Sequence, residues 1–473
     1  MARILMVASE AAPFVKTGGL ADVLGSLPKA LIQAGEEVAV VLPLYKKAVV
    51  RNASVVYENM RISVGAHSFR AHILEQIESG VRYLFVQIPE LYDRDSIYDE
   101  WGREYADNHI RFAALCQAAL GVVRDLFKPD IVHGHDWQAG LLPVLLRDVY
   151  AGHPAYVGIK TVFTIHNLGY QGRYWRGAWN DLGLPERLFR PDLLEYYGEL
   201  NLLKAGLVFS HYLTTVSKTY AREIQTPEFG FGLDGLLRAR RDSLFGIVNG
   251  VDYDHWDPAT DPKIPKQYDV MHPEGKLECK QTLLEESGLP SRLETRPVIG
   301  IVSRFAAQKG FDLIAQVAHE LAAEDLGFVV LGSGDHDTEN FFRWYASTYP
   351  EKIATRIGYD DGLAHRIEAG CDLFLMPSRY EPCGLNQIYS LRYGTLPVVR
   401  ATGGLEDTVD DDTGFKFWGF AGHELLWCVR FALSVYGTPR WERMTEAAML
   451  RDFSWGKSAK EYIELYRRLM TVA

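Results

Sequence analysis

No stretch of the 473 residues approaches the roughly 18–20 consecutive apolar residues that cross a bilayer, and the longest early run, 4–8, is too short for the core of a secretion signal. A soluble, unexported protein is expected, with no membrane partner. The five cysteines, Cys116, Cys279, Cys371, Cys383 and Cys428, are odd in number and form no CxxC pair. That argues against a disulfide framework or a thiolate zinc site and points to a reducing, cytoplasmic compartment. Positive charge is also short: 50 Lys and Arg face 61 Asp and Glu, a formal net charge of −11. Such a field repels polyanions, so nucleic acid is not an expected partner, and any small anion must be held by a local group of cations. Low-complexity tracts and close internal repeats are lacking as well, and with 47% hydrophobic residues the length suits two or three folded domains rather than disorder.

What is present is alternation. Short β-branched runs at 3–8, 38–42, 83–88, 130–133, 161–166 and 212–216 are each followed by a helical pattern, the signature of a parallel sheet with crossover helices. The pattern stops at 249–266, where Pro258, Pro262 and Pro265 cluster with Asn and Asp. It resumes at 298–302, 328–332, 352–357, 372–376 and 397–399. The expected organisation is α/β, two doubly wound domains at 1–248 and 249–455, with a helix at 456–473. Ser454 can cap that helix, and Trp455 at its start with Ala459, Tyr462, Tyr466 and Leu469 forms one apolar stripe, which must dock somewhere and is expected to do so on the first domain.

The chemistry-bearing residues fall at strand ends. Lys16-Thr17-Gly18-Gly19 lies between the first strand and a helix beginning near Leu20, where Cβ-free backbone and a helix start favour an anion and Lys16 adds a full charge. A plain glycine turn with a solvated lysine would look the same in isolation, and Asp22 alone reads as a first-turn charge. Gly230, Gly232 and Gly235 also satisfy the GxGxxG spacing, but no strand precedes them, so a dinucleotide loop is rejected. The run His133-Gly134-His135-Asp136-Trp137 and the pair His166-Asn167 end two further strands. No further ligand follows at metal spacing; the readings left open are a strand-end His paired with a carboxylate, or a polar floor with Trp137 as an apolar wall for a hydroxyl-rich ligand.

In the second half, Arg304 and Lys309 follow a strand and precede a helix, a pair able to grip a diphosphate, although a solvated basic loop would fit too. Glu381 follows another strand within 377–387. A carboxylate there either binds sugar hydroxyls and counters positive charge at a sugar carbon, or is only a helix-start charge. Cys383 lacks any partner for a nucleophilic triad. Gly403-Gly404 repeats the strand–glycine–helix arrangement.

Together these strings closely resemble the bacterial glycogen synthase and plant starch synthase family, ADP-glucose-dependent glucan synthases with a GT-B fold. The resemblance runs nearly end to end through KTGGLADV (16–23), HGHDWQAGL (133–141), FTIHNLGYQG (163–172), NLLKAGL (201–207), VNGVD (248–252), SRFAAQKG (303–310), LGSGD (331–335), SRYEPCGLNQ (378–387) and YGTLPVVRATGGL (393–405). It implies two Rossmann-like domains facing across a deep cleft, the first on the acceptor side and the second binding the nucleotide sugar. It also implies a retaining transfer of glucose from ADP-glucose to the non-reducing 4-OH of an α-1,4-glucan, glycogen or a maltooligosaccharide, without metal or cofactor.

By the family's pattern Lys16 and the amides of Gly18 and Gly19 meet the donor near its phosphates, and Asp22 reaches its adenosine end. Arg304 and Lys309 stabilise the leaving diphosphate, Asn249 and His166 hold the glucose, and Tyr359 stacks on adenine. Glu381 is the key carboxylate, Asp136 and Tyr92 match positions tied to activity, and Cys383, Gly384, Leu385, Asn386, Gly403 and Gly404 belong to the donor site. Two features depart from the pattern: Asn386 stands where Thr is common, and 410–420 is brief. Relatives with two glutamates separated by seven residues are disfavoured, because the position eight after Glu381 is Tyr389. The alternatives are a retaining GT-B transferase with another acceptor, or a silent glucan- or nucleotide-binding regulator. The second would be expected to have lost Lys16, Arg304, Lys309 or Glu381, and all four are present.

Overall fold

The computed structural model describes residues 1–100 and 102–471. The chain divides into two compact units, one of Met1–Val216, Ala221–Gly250 and the segment from Trp455, the other of Ser217–Tyr220 and Val251–Ser454.

Unit 1 is built on a nine-stranded sheet of β1 (Arg3–Val7), β2 (Glu37–Pro43), β3 (Ser54–Val64), β4 (His67–Glu78), β5 (Val81–Gln87), β6 (Ile131–His135), β7 (Lys160–Ile165), β8 (Tyr212–Thr215) and β9 (Leu244–Gly246). Their spatial order is β9-β8-β7-β6-β1-β2-β5-β4-β3. The central strands are parallel and almost wholly buried, which is why they read as continuous Val, Ile and Leu runs. The edge is different: β3 and β4 form a long antiparallel hairpin whose exposed and buried residues alternate. The hairpin turns at Gly65, with φ +53, where a Cβ would also meet Asp181 O at 2.3 Å. Helix Gly19–Gln33 covers part of the sheet and packs against helix Trp455–Thr471. The latter buries Trp455, Ala459, Tyr462, Tyr466 and Leu469, its apolar stripe.

Unit 2 holds six parallel strands, β10 (Val298–Phe305), β11 (Gly327–Gly334), β12 (Ile353–Ile357), β13 (Leu373–Met376), β14 (Leu396–Arg400) and β15 (Phe415–Phe417). They run in the order β12-β11-β10-β13-β14-β15. Its largest apolar cluster includes Ile299, Ile301, Phe328, Leu375, Val398 and Leu425. This is the doubly wound arrangement, and its order reverses between β10 and β13, so a crevice opens beyond the carboxyl ends of those two strands. The corresponding reversal in unit 1 falls between β1 and β6.

Candidate active site

The β10–β13 reversal in unit 2 carries a charged pair. Beyond β10 the chain turns through Ala307–Lys309 into Gly310 (φ +70), where a Cβ would sit 2.0 Å from Pro377 O on the loop after β13. This close approach brings Lys309 Nζ to 2.6 Å from Glu381 Oε2, and Ser378 Oγ donates to the same oxygen at 3.0 Å. Both members are largely buried, so each ion's desolvation must be offset by its partner and by the hydroxyl. Behind them, Gly404 N donates to Glu381 O at 3.0 Å. A Cβ at Gly403 would stand 1.9 Å from Glu381 O, and one at Gly404 2.0 Å from Cys383 O. The glycine pair therefore backs the Glu381 turn. Ser217 Oγ adds a hydrogen bond to Pro382 O at 2.6 Å.

Around this pair, Gly384 has φ +71, Leu385 opens helix Asn386–Arg392, and Cys383 is buried. Asn386 Nδ2 donates to Val302 O at 3.1 Å, tying the helix start to the end of β10. Arg304, two residues further along β10, is exposed. Tyr359, just past β12, is 87% exposed.

The ends of β6 and β7 in unit 1 gather histidines and one acid. Asp136, directly after β6, is buried and held at φ +56, a strained value for a non-glycine residue. Its Oδ1 accepts from His166 N at 2.7 Å, yet burial dominates and pushes the carboxyl pKa up to about 7. His135 Nδ1 and His166 Nε2 share a hydrogen bond of 3.0 Å, and His133 stacks on His135. His133 bonds Tyr466 OH at 2.8 Å and Thr164 Oγ1 at 2.6 Å. Burial depresses all three imidazoles, His133 and His166 to about 3, so they are uncharged at neutral pH. Asn249, past β9, is buried with an unpartnered Oδ1.

The glycine loop after β1 is anchored from below by Glu10, whose carboxylate accepts from Thr17 N, Thr17 Oγ1 and Tyr98 OH. Gly18 starts helix Gly19–Gln33 with no side-chain cap, and a Cβ at Gly18 or Gly19 would meet no protein atom. Nothing in the protein itself therefore demands glycine there, whereas close approach of a ligand oxygen to the backbone would. Lys16 and Asp22 pair at 2.7 Å on the surface, so the charges expected at opposite ends of a nucleotide sit together. Tyr92 stands apart: it is fully buried and donates to Arg111 O at 2.7 Å, a core tyrosine whose pKa burial raises. A cavity of about 320 Å³ is lined by Glu104, Trp137, Tyr170, Gln171, Arg173 and Phe231. Glu10, Ser217 and Ser378 are the supports that sequence reasoning missed; only Glu10 left a signal, a carboxylate immediately after a buried strand.

A doubly wound unit with a cation–carboxylate pair at its switch point, in one chain with a second doubly wound unit, defines a GT-B glycosyltransferase. Residues 3–239 match the starch synthase catalytic domain and residues 288–422 the glycosyl transferases group 1. The chain belongs to the glycogen and starch synthase family. It is 48% identical over 479 residues to a glycogen synthase of Koribacter versatilis, covering 99% of this chain and 98% of that one. A glycogen synthase of Geobacillus thermodenitrificans is 44% identical over 485 residues, with 99% and 98% covered. Among solved structures, the catalytic domain of starch synthase IV from Arabidopsis thaliana bound to ADP and acarbose superposes with a TM-score of 0.91 at 33% identity, covering 99% of both chains. Sucrose-phosphate synthase from Thermosynechococcus elongatus shares the fold, with a TM-score of 0.63 at 16% identity over the full length of both chains.

Proposed function

We propose that this chain transfers glucose from ADP-glucose, with retention, to the non-reducing 4-OH of an α-1,4-glucan. The observation that carries the reading is the Lys309–Glu381 pair with Ser378 at the unit 2 switch point, in a chain so similar to glycogen synthases. The bond from glucose C1 to the β-phosphate oxygen breaks and its electron pair stays on the diphosphate. Arg304 and Lys309 meet that growing negative charge, and Lys16 with the Gly18 and Gly19 amides assists. The acceptor 4-OH forms its bond to C1 on the same face while its proton passes to a departing phosphate oxygen. Glu381 aims Lys309 and lends negative charge to the electron-poor sugar carbon. A carboxylate oxygen already accepting from an ammonium and a hydroxyl is a poor nucleophile, which favours this path over double displacement through Glu381.

On the unit 1 side, uncharged His166 and Asn249, with Asp136 pushed toward its neutral form, suit an uncharged sugar, and Trp137 with Tyr170 offers apolar faces to a glucan ring. Tyr359 stacks on adenine, with Asp22 toward the ribose end. In this reading the enzyme works in the cytoplasm without metal or cofactor, and its partners are ADP-glucose and glycogen or maltooligosaccharide. Incubation with labelled ADP-glucose and maltooligosaccharide tests it. Chain-lengthened labelled products at a rate well above those from UDP-glucose are expected; no incorporation overturns the proposal.

A further inference from the structure

Outside the strand-end sites, one cluster of metal-ligand side chains stands out among the described residues: His255, Asp361 and His365, with ligand atoms within 4.8 Å of one another. A cation already sits among them. Lys263 Nζ donates to His365 Nε2 at 3.2 Å, to His255 Nε2 at 3.3 Å and to Asp361 Oδ2, so three acceptors meet the three N–H donors of one ammonium.

The socket is fixed from beneath. Asp261, buried, accepts from His365 Nδ1 at 2.7 Å, Tyr393 OH and the Lys263 amide at 2.8 Å. The Nδ1 proton on His365 leaves its Nε2 as the acceptor that faces Lys263. Trp256 clamps the His365 ring, 3.7 Å away and nearly parallel, and stacks on Tyr389 with its other face. Burial, followed by the Lys263 charge, keeps the His255 imidazole below its usual pKa and therefore an acceptor. Burial is the largest single influence on Asp361 and works to raise its pKa, but the Lys263 hydrogen bond and the Lys263 charge, with smaller help from His365 and His255, together hold it below its usual value.

The other side of the socket leads to the exposed ring past β12. Asp361 opens helix Asp361–Gly370, two residues after Tyr359, and its Oδ1 lies 3.5 Å from Tyr359 OH. A chain of contacts thus runs from buried Asp261 through His365, Lys263 and Asp361 to a ring that is 87% exposed. An exposed aromatic ring binds a flat ligand best when its orientation is fixed in advance.

We propose that Lys263 is a positioning residue: as the resident cation of this socket it holds Asp361, and through Asp361 orients Tyr359 for the donor's base, an inference that rests on the donor reading above.

A double-mutant cycle in the full-length enzyme tests it, with initial rates measured against ADP-glucose for the wild type, Lys263→Met, Tyr359→Phe and the pair. Lys263→Met is expected to raise KM for ADP-glucose about fivefold with kcat within twofold. Lys263→Met is expected to add less than about 1.5-fold once the Tyr359 hydroxyl is gone. Multiplying effects in the pair, or a fall in kcat alone, overturn the positioning role. Unfolding midpoints of all four proteins identify a variant that fails to fold, in which case Asp361→Asn takes the place of Lys263→Met in the cycle. Titration of the wild type with Zn2+ is expected to show no binding at the socket; stoichiometric binding abolished by Asp361→Asn would show that the lysine is not its cation and overturn the proposal. A wild type that does not use ADP-glucose at all would instead refute the donor reading.

Discussion

The two units end their central strands in opposite electrostatic styles. In unit 1, burial pushes Asp136 toward its neutral form and keeps the imidazoles of buried His133 and His135 and half-buried His166 uncharged. Unit 2 instead keeps an ion pair, Lys309–Glu381, with a second cation, Arg304, exposed nearby in sequence. The same sheet ends are therefore used for two chemistries. In the proposed reading, desolvated donors and acceptors would discriminate sugar hydroxyls by shape and hydrogen bonding, while charges that are costly to bury would be retained where charge develops in the reaction. Catalysis should accordingly be far more sensitive to the unit 2 ion pair, while Asp136 in unit 1 should make stability depend on pH.

Replacing Glu381 by Ala puts the contrast under the hardest strain. It should lower transfer by about 1,000-fold or more while ADP binding, measured by calorimetry, persists. Turnover close to wild type would remove the carboxylate from the reaction. Next in size, Lys309→Ala should cost on the order of 2–4 kcal/mol in transition-state energy, about 30- to 1,000-fold in kcat/KM.

The third test addresses the neutral style. Because the folded Asp136 pKa is raised, the folded protein keeps a proton that the unfolded chain releases above about pH 4. This stabilising contribution is complete below that pH and disappears as pH rises through about 7, with a slope of at most about 1.4 kcal/mol per pH unit. Urea unfolding at several pH values should show that decline in the wild type and a shallower one in Asp136→Asn; equal slopes would return Asp136 to an ordinary charged acid. Smallest of all, Asn386→Thr should lose the bond to Val302 O and about 1 kcal/mol of stability, with activity changed less than about threefold.

Much of the fold was legible because buried parallel strands announce themselves as apolar runs. Runs such as 298–302 and 328–332 fall on β10 and β11 with only their ends misjudged. The β3–β4 hairpin escaped notice: with one face in water it is rich in charge, as in Arg61, Arg70, Glu75 and Glu78, and its only signal is a two-residue alternation. At the site, sequence order located Lys309 and Glu381 separately, at two strand ends 72 residues apart. Their pairing depends on β10 and β13 lying side by side, a fact of topology. Tyr92 shows the converse: expected from its motif at a position tied to activity, it is used by the fold to brace Arg111 in the core. Asn386 is explained only by a tertiary partner, the carbonyl of Val302.

The helix Trp455–Thr471 has a consequence for how the protein is made. It belongs to unit 1, yet in the chain it follows all of unit 2. During synthesis the first 250 residues leave the ribosome long before this helix does, so His133 waits for Tyr466 and helix Gly19–Gln33 keeps an uncovered apolar flank. Unit 2 can fold as soon as Ser454 has emerged, whereas unit 1, first to be translated, is last to be finished. A chain ordered this way cannot seat His133 against Tyr466 ahead of time, and a nascent chain stopped short of the final helix presents a sticky surface that chaperones would recognise.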